Sequence, residues 1–229
     1  MKLSIIIPTY NESATIKKLL NLIEEVKSIK KQIIIIDDNS TDGSSEIIKN
    51  FSFKSEFTYL KHKKNKGKGA CIKSAKNLIT GDIVIIQDAD LEYNPGEYEK
   101  LIHPIINKLA KVVYGSRVLN KKRYSTNNFY SLSRVFFNHM LTIISNIINK
   151  QSLTDAHTCY KIFTIDIFSK LDLKEDGFSF CPEVTTKLSK LGVDILELPI
   201  EYFGRTYKEG KKIKMIDGVK ALITLIKYR

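Results

Sequence analysis

Four isoleucines in succession, Ile33–Ile36, constrain this chain more than any other feature. A short run of β-branched side chains has no polar face, so the strand it forms must be covered on both sides. Leu3–Pro8, Asp82–Gln87 and residues 111–114 read the same way, and Phe57–Leu60 is a weaker version. Between them Ile16, Leu19, Leu20, Ile23 and Val26 recur at helical spacing over 11–29. Further helices are predicted near 44–50, from the glycine loop at 61–69 to about Leu78, and over 95–109. Strands alternating with helices predict an α/β fold, a mostly parallel sheet with helices on both faces. After Arg117 the rhythm breaks. Residues 118–127 are polar, and 128–149 read as one long helix with the polar line Ser131, Arg134, Asn138, Thr142, Ser145, Asn149. A helix at 181–191, a strand at 193–200, a basic loop at 204–214 and a last helix at 215–228 complete the pattern. No repeat or flexible linker divides the 229 residues, which read as one domain.

Charge narrows the partners. Thirty-seven Lys and Arg against 25 Asp and Glu give +12. Only five of the basic residues are arginines: Arg117, Arg123, Arg134, Arg205 and Arg229. The aromatics do not interleave with the basic clusters, which argues against stacking on nucleic-acid bases. Cys71, Cys159 and Cys181 are far apart and lack the paired spacing of a zinc site or a disulfide framework. The start, Met1-Lys2 and then Leu3–Pro8, is too short for a signal sequence. No apolar run approaches the ~20 residues of a spanning helix, so the expectation is a chain that does not cross a bilayer by itself.

Chemistry concentrates where strands end. Asp88-Ala89-Asp90 follows the strand 82–87. In open α/β sheets ligands bind beyond the carboxyl ends of strands, and residues i and i+2 of an extended chain face one side. Asp88 and Asp90 can thus share a Mg²⁺ or Mn²⁺ that also holds phosphate oxygens. Taken alone, an Asp-x-Asp is more often a solvated turn, and its place at a strand end favours the metal. Asp37–Gly43 is a second acidic turn whose carboxylate could accept from a base or ribose, or simply cap a helix. Asn65-Lys66-Gly67-Lys68-Gly69 opens a helix, where backbone N–H groups favour anions, and reads equally as a solvated lysine loop.

In combination and in this order, Ser4–Glu12, Asp37–Gly43, Asn65–Gly69, Asp88–Asp90 and Gly115-Ser116-Arg117 resemble the family 2 glycosyltransferases of GT-A fold. Thr154–Lys161, Gly177–Glu183 and Gly204–Ile213 resemble the branch with dolichol-phosphate mannose synthase and bacterial polyprenyl-phosphate sugar transferases. The resemblance implies a nucleotide-sugar-binding half at 1–117 and an acceptor-binding half at 118–229. Donor-binding residues would be Pro8, Tyr10, Glu12, Asp38, Lys66, Gly69, Asp88, Ala89, Arg205 and Lys212, with Asp38 on the base and Arg205 and Lys212 in a basic loop that closes on the diphosphate. The metal, Mg²⁺ or Mn²⁺, would be held by Asp88, Asp90 and Glu92, with Asp90 the most direct ligand. Asp90, Arg117 and Asp155 would be catalytic, and Arg134 and Asn138 would receive the acceptor.

The implied reaction is an inverting transfer of a hexose from GDP-mannose or UDP-glucose type donors to a polyprenyl or dolichyl phosphate. A saccharide acceptor in surface-polysaccharide assembly is the alternative, and a non-catalytic nucleotide-binding module is one of another class. A phosphate monoester is already mostly ionised at neutral pH, so it needs positioning by arginine more than a general base. A lipid acceptor implies work at a membrane, either through the basic tail on the anionic cytoplasmic face or through a separate membrane subunit. Residues 201–229 hold eight basic and three acidic residues. The long helix 128–149 has an apolar side that core packing would explain as well. His139 and His157 lack a second ligand at metal spacing, and Glu183 opens a helix where it touches either the acceptor or the helix start.

Overall fold

The computed structural model describes residues 1–120, 129–205 and 215–229, the starts of two helices (129–134 and 215–216) by their backbone alone. The elements in chain order are β1 (Leu3–Thr9), α1 (Ile16–Glu25), β2 (Lys31–Asp37), α2 (Ser44–Lys49), β3 (Glu56–Lys61), α3 (Lys68–Ala75), β4 (Ile83–Ile86), α4 (Tyr98–Ile106), β5 (Val112–Ser116), α5 (Phe129–Asn149), β6 (Lys161–Thr164), α6 (Ile165–Lys170), α7 (Phe180–Lys190), β7 (Ile195–Pro199) and α8 (Met215–Lys227). They build a seven-stranded sheet in the order β3-β2-β1-β4-β6-β5-β7. β1 pairs in parallel with β2 and β4, β2 with β3, and β5 with β7. The isoleucine runs of β1 and β2 are wholly buried at its centre, and α1 covers them with Ile16, Leu19, Leu20 and Ile23.

The expected α/β architecture is present, with one departure. β6 lies between β4 and β5 and runs antiparallel to both, with Ile85 opposite Ile162 and Val112 opposite Phe163. The hydrophobic pattern hides it because its four residues begin at Lys161, whose side chain is nevertheless buried. Lys161 lies over the Tyr114 ring at 3.6 Å and donates to the Ala156 carbonyl at 2.9 Å.

Topology places the site. From β1 the chain winds outward through β2 and β3, then returns to lay β4 on the other side of β1. That reversal opens a crevice at the carboxyl ends of β1 and β4. The segments leaving them, Tyr10–Glu12 and Gln87–Glu92, are joined by the Thr15 hydroxyl, which donates to the Ala89 carbonyl at 2.8 Å and the Glu12 carboxylate at 3.0 Å.

The glycines opening α3 have a packing role. Residues 175–177 cross the helix start, and Ala70 N–H donates to the Asp176 carbonyl at 3.0 Å. A Cβ on Gly69 would stand 2.2 Å from the Glu175 carbonyl oxygen, and one on Gly67 2.6 Å from that of Asp176. Buried Glu183 of α7 anchors the crossing strap by accepting from Lys174 N–H at 2.6 Å and Glu175 N–H at 2.9 Å.

The long helix α5 is turned inside out. Thr142, Ser145 and Asn149 of its polar line are buried, while Phe136, Phe137, Met140, Ile143 and Ile147 are exposed, Ile147 by 74%. α7 and α8 pack against the buried side, where the Ser189 hydroxyl donates to the Asn149 carbonyl at 2.7 Å. Core packing therefore does not explain the apolar stripe. α8 carries a second one at Val219, Ile223 and Ile226, all exposed.

Gly69→Ala should lower stability by about 1–3 kcal/mol through this backbone collision. Gly177→Ala, whose Cβ would meet nothing within 4 Å, should not. Urea midpoints of the two variants check the contrast.

Candidate active site

At the carboxyl end of β4 the two aspartates are already bound to cations from distant parts of the chain. Asp88 pairs with Lys68, the first residue of α3. The Lys68 ammonium also lies 2.7 Å from the Cys159 sulfur. Burial alone would push the Asp88 carboxyl up, but the adjacent ammonium holds it below its usual value. Asp90 accepts from Arg205 Nη2 at 2.8 Å. Burial, followed by the charges of Asp88 and Glu92, raises the Asp90 carboxyl to about 7. The Arg205 guanidinium also reaches Glu12, at 3.0 and 3.3 Å.

Glu92 holds the root of the basic loop. Its carboxylate accepts from Arg205 N–H at 2.7 Å and from the Tyr202 hydroxyl at 2.7 Å, and its carbonyl accepts from Phe203 N–H at 3.0 Å. Glu12, Asp90, Glu92 and Arg205 thus form one cluster.

Arg117 and Asp155 meet beside it. Asp155 accepts from Arg117 Nε at 2.7 Å, Nη2 at 2.8 Å and the backbone N–H at 3.1 Å. Burial opposes both charges, and each partner overrides it: Asp155 is held below the usual carboxylate range and Arg117 above its own. Glu197 of β7 fixes the aspartate's backbone by accepting from Thr154 N–H at 2.6 Å and Asp155 N–H at 2.9 Å. The Tyr202 ring lies 5.1 Å from the Arg117 guanidinium and links the two clusters through its bond to Glu92.

The donor-side residues fall at the ends of β1 and β2. Pro8 is half-buried, Tyr10 is exposed, and Ala89 is buried between the aspartates. Asp38 is 2% exposed, and its carboxylate is bound to His62 Nδ1 at 2.7 Å, Lys66 N–H at 2.9 Å and Gly67 N–H at 2.6 Å. His62 Nε2 continues to the Ser74 hydroxyl at 2.9 Å. Asp38, His62 and Cys71 also bring three potential metal-ligand atoms within 4.8 Å of one another, a grouping their sequence positions conceal. Lys66 is exposed, whereas Gly69 is buried against the 175–177 strap. Asn138 is exposed on α5. The Arg134 side chain and Lys212 lie outside the described residues. His157, half-buried by its surface, has its imidazole pushed down to about 4 by burial and by Lys161, so it is neutral at pH 7.

Comparison with known proteins gives the family. Residues 4–172 match the model of glycosyl transferase family 2. The chain belongs to that family. As a family 2 glycosyltransferase it is 28% identical to a dolichyl-phosphate beta-glucosyltransferase of Trichomonas vaginalis over 98% of this chain and 72% of the relative. It is 27% identical to a UDP-N-acetylglucosamine–dolichyl-phosphate N-acetylglucosaminyltransferase of Methanococcus voltae, over 97% of this chain and 94% of the relative. A glucosyl-3-phosphoglycerate synthase of Mycobacterium tuberculosis, solved with Mg²⁺ and uridine diphosphate, shares the fold. Its TM-score is 0.72 at 16% identity, covering 99% of this glycosyltransferase and 79% of that chain.

The motifs led to Asp88, Asp90, Arg117, Asp155 and Arg205 but not to Lys68, Glu197 or Tyr202. Lys68 sits within the Asn65–Gly69 loop, and its position opening a helix beside the aspartates was the available signal. Glu197 and Tyr202 are joined to the site only by tertiary contacts. Asp88 and Asp90 offer the carboxylate oxygen that suits Mg²⁺ and Mn²⁺, each at present held by a separate cation, while Glu92, the expected third ligand, is bound to the Tyr202 hydroxyl and the Arg205 backbone. The Asp38–His62–Cys71 group mixes oxygen, nitrogen and sulfur, which suits a softer ion.

The raised carboxyl of Asp90 has a consequence for stability. Its folded value, about 7, exceeds the ordinary 3.8, so stability falls as pH rises between the two. Without divalent metal, Asp90→Asn should melt higher than the parent at pH 8, and the gap should close near pH 4. Calorimetric melts at the two pH values check this.

Proposed function

We propose that this glycosyltransferase moves a hexose from a nucleotide sugar to a polyprenyl phosphate at a membrane surface. The observation that carries the reading is the meeting of Asp88 and Asp90 with Lys68 and Arg205 at the carboxyl end of β4, beside the Arg117–Asp155 pair. Mg²⁺ or Mn²⁺ held by Asp88 and Asp90 would supply positive charge to the leaving diphosphate. Arg205, fixed at its backbone by Glu92, adds a planar donor for the same phosphates. Pro8 and Tyr10 line the entry for the base. Arg117, oriented by Asp155, presents charge where the acceptor oxygen approaches, and Arg134 and Asn138 are the further residues assigned to the acceptor. An ionised phosphate oxygen needs no general base, and the neutral imidazole of His157 is not required as one. Attack opposite the diphosphate inverts the anomeric centre.

The names of the two dolichyl-phosphate relatives support a lipid-phosphate acceptor. The outward apolar stripes of α5 and α8 support contact with a bilayer, because contiguous exposed apolar side chains mark an interaction surface. Lys150, Lys220, Lys227 and Arg229 lie on or beside these helices, which suits the anionic cytoplasmic face. Among the described residues no helix is long and apolar enough to cross a membrane.

Asp90→Asn should lower turnover by at least about 100-fold with either nucleotide-sugar class. Sugar label should partition into butanol as a mild-acid-labile product; label remaining with a water-soluble saccharide would replace the lipid acceptor by the saccharide one. The Ile143→Glu, Ile223→Glu double variant should float poorly with anionic liposomes while keeping donor binding. Equal flotation of parent and variant would remove α5 and α8 from the membrane contact.

A further inference from the structure

Lys68 lies outside every motif role described above, yet its ammonium is one of two cations in direct contact with the aspartate pair among the described residues. It belongs to the first turn of α3, and its side chain is only 14% exposed. It has one full-strength acceptor there, Asp88. Its other close partner is the Cys159 sulfur, and a thiol that burial keeps neutral is a weak acceptor. Arg205 stands in the same relation to Asp90, with its backbone fixed by Glu92 and its guanidinium shared with Glu12. Two different cations, one from a helix start and one from a loop root, thus each occupy one carboxylate of the pair.

We infer that Lys68 is a donor-binding residue and that it and Arg205 are tethered counter-cations, each holding one aspartate of the pair until a divalent ion takes that carboxylate and then turning to the donor's diphosphate. The inference rests on the reading that Asp88 and Asp90 receive the ion. The argument is one of competition. A carboxylate that coordinates a divalent cation holds an ammonium or guanidinium more weakly, because the two positive groups repel at contact distance. The displaced groups need a new anion. The diphosphate brings one to the place they have just left. Metal and nucleotide therefore bind as one coupled event, each improving the site for the other.

Mn²⁺ binding, read by the EPR signal of the free ion with and without UDP or GDP, tests this in the whole chain. Lys68→Met preserves side-chain length, Arg205→Gln preserves a planar polar end, and Lys64→Met removes a nearby exposed charge that the structure does not place on an aspartate. Without nucleotide, Lys68→Met and Arg205→Gln should each bind Mn²⁺ about tenfold more tightly than the parent, since a charge-assisted bond no longer competes. Lys64→Met should match the parent. With the nucleotide that tightens Mn²⁺ in the parent, that tightening should be lost in the two variants. A lysine that only neutralised Asp88 would also tighten Mn²⁺ on removal, but it would leave the tightening by nucleotide intact. If both variants bind Mn²⁺ like the parent while Asp90→Asn abolishes binding, the exchange is overturned and the metal site stands. If neither nucleotide tightens Mn²⁺ in the parent, the exchange is overturned as well. If Asp90→Asn leaves Mn²⁺ binding intact, the metal reading itself fails.

Discussion

Carboxylates gathered at the end of a buried strand cannot all stay ionised without cations, and this constraint organises the whole carboxyl edge of the sheet. Asp88 and Asp90 leave β4 where its fully buried isoleucines stop, and Glu12 arrives from β1. Their charges draw in Lys68 from α3 and Arg205 from beyond β7. The raised carboxyl of Asp90 shows that the balance is tight. A site built this way gives up stability, which is the usual trade at a functional centre.

The scaffold makes that concentration possible by bringing distant segments to one edge. β1 and β4 are separated by two βα units in the chain but are neighbours in the sheet. On the other flank, β6 runs antiparallel between β4 and β5, so the turn preceding it delivers Asp155 to Arg117 at the end of β5. Glu197 on β7 then fixes that turn by its backbone. Tyr202 bridges the flanks, with its hydroxyl on Glu92 and its ring against Arg117. The Glu92–Arg205 cluster and the Arg117–Asp155 pair are thus joined through one tyrosine, by a hydrogen bond on one side and a ring contact on the other.

How much of this the sequence discloses depends on how local each signal is. β1, β2 and β4 are legible because a run of β-branched residues admits few other structures. Asp88-Ala89-Asp90 is legible because its strand is. β6 is not, since four residues opening with a lysine look like a break, and only the Tyr114 ring and the Ala156 carbonyl make that lysine tolerable inside. Lys68 was in view as part of a basic loop, but nothing local separates it from Lys66, which the fold leaves in solvent. The glycines beside it suggest phosphate, yet at Gly67 and Gly69 the nearest obstacle is the backbone of the 175–177 strap, more than a hundred residues away. Periodicity showed that α5 is amphipathic and could not show which face looks inward.

That orientation bears on how an acceptor would be presented. In the described part of α5 Thr142, Ser145 and Asn149 are buried where α7 and α8 pack, and Phe136, Phe137, Met140, Ile143 and Ile147 face out, the reverse of a helix whose only task is to cover a core. The helix is also covalently close to the acceptor-side pair at both ends: Arg117 precedes it by a short connection, and Asp155 follows it within six residues. Resting such a helix on a bilayer fixes the height of Arg117 and Asp155 above the headgroups. For an acceptor whose phosphate is tethered at that plane, fixing the height supplies much of the positioning that an already ionised nucleophile needs. The same arrangement offers nothing to a freely diffusing saccharide. The outward apolar side of the described part of α5 therefore favours an acceptor held at a membrane.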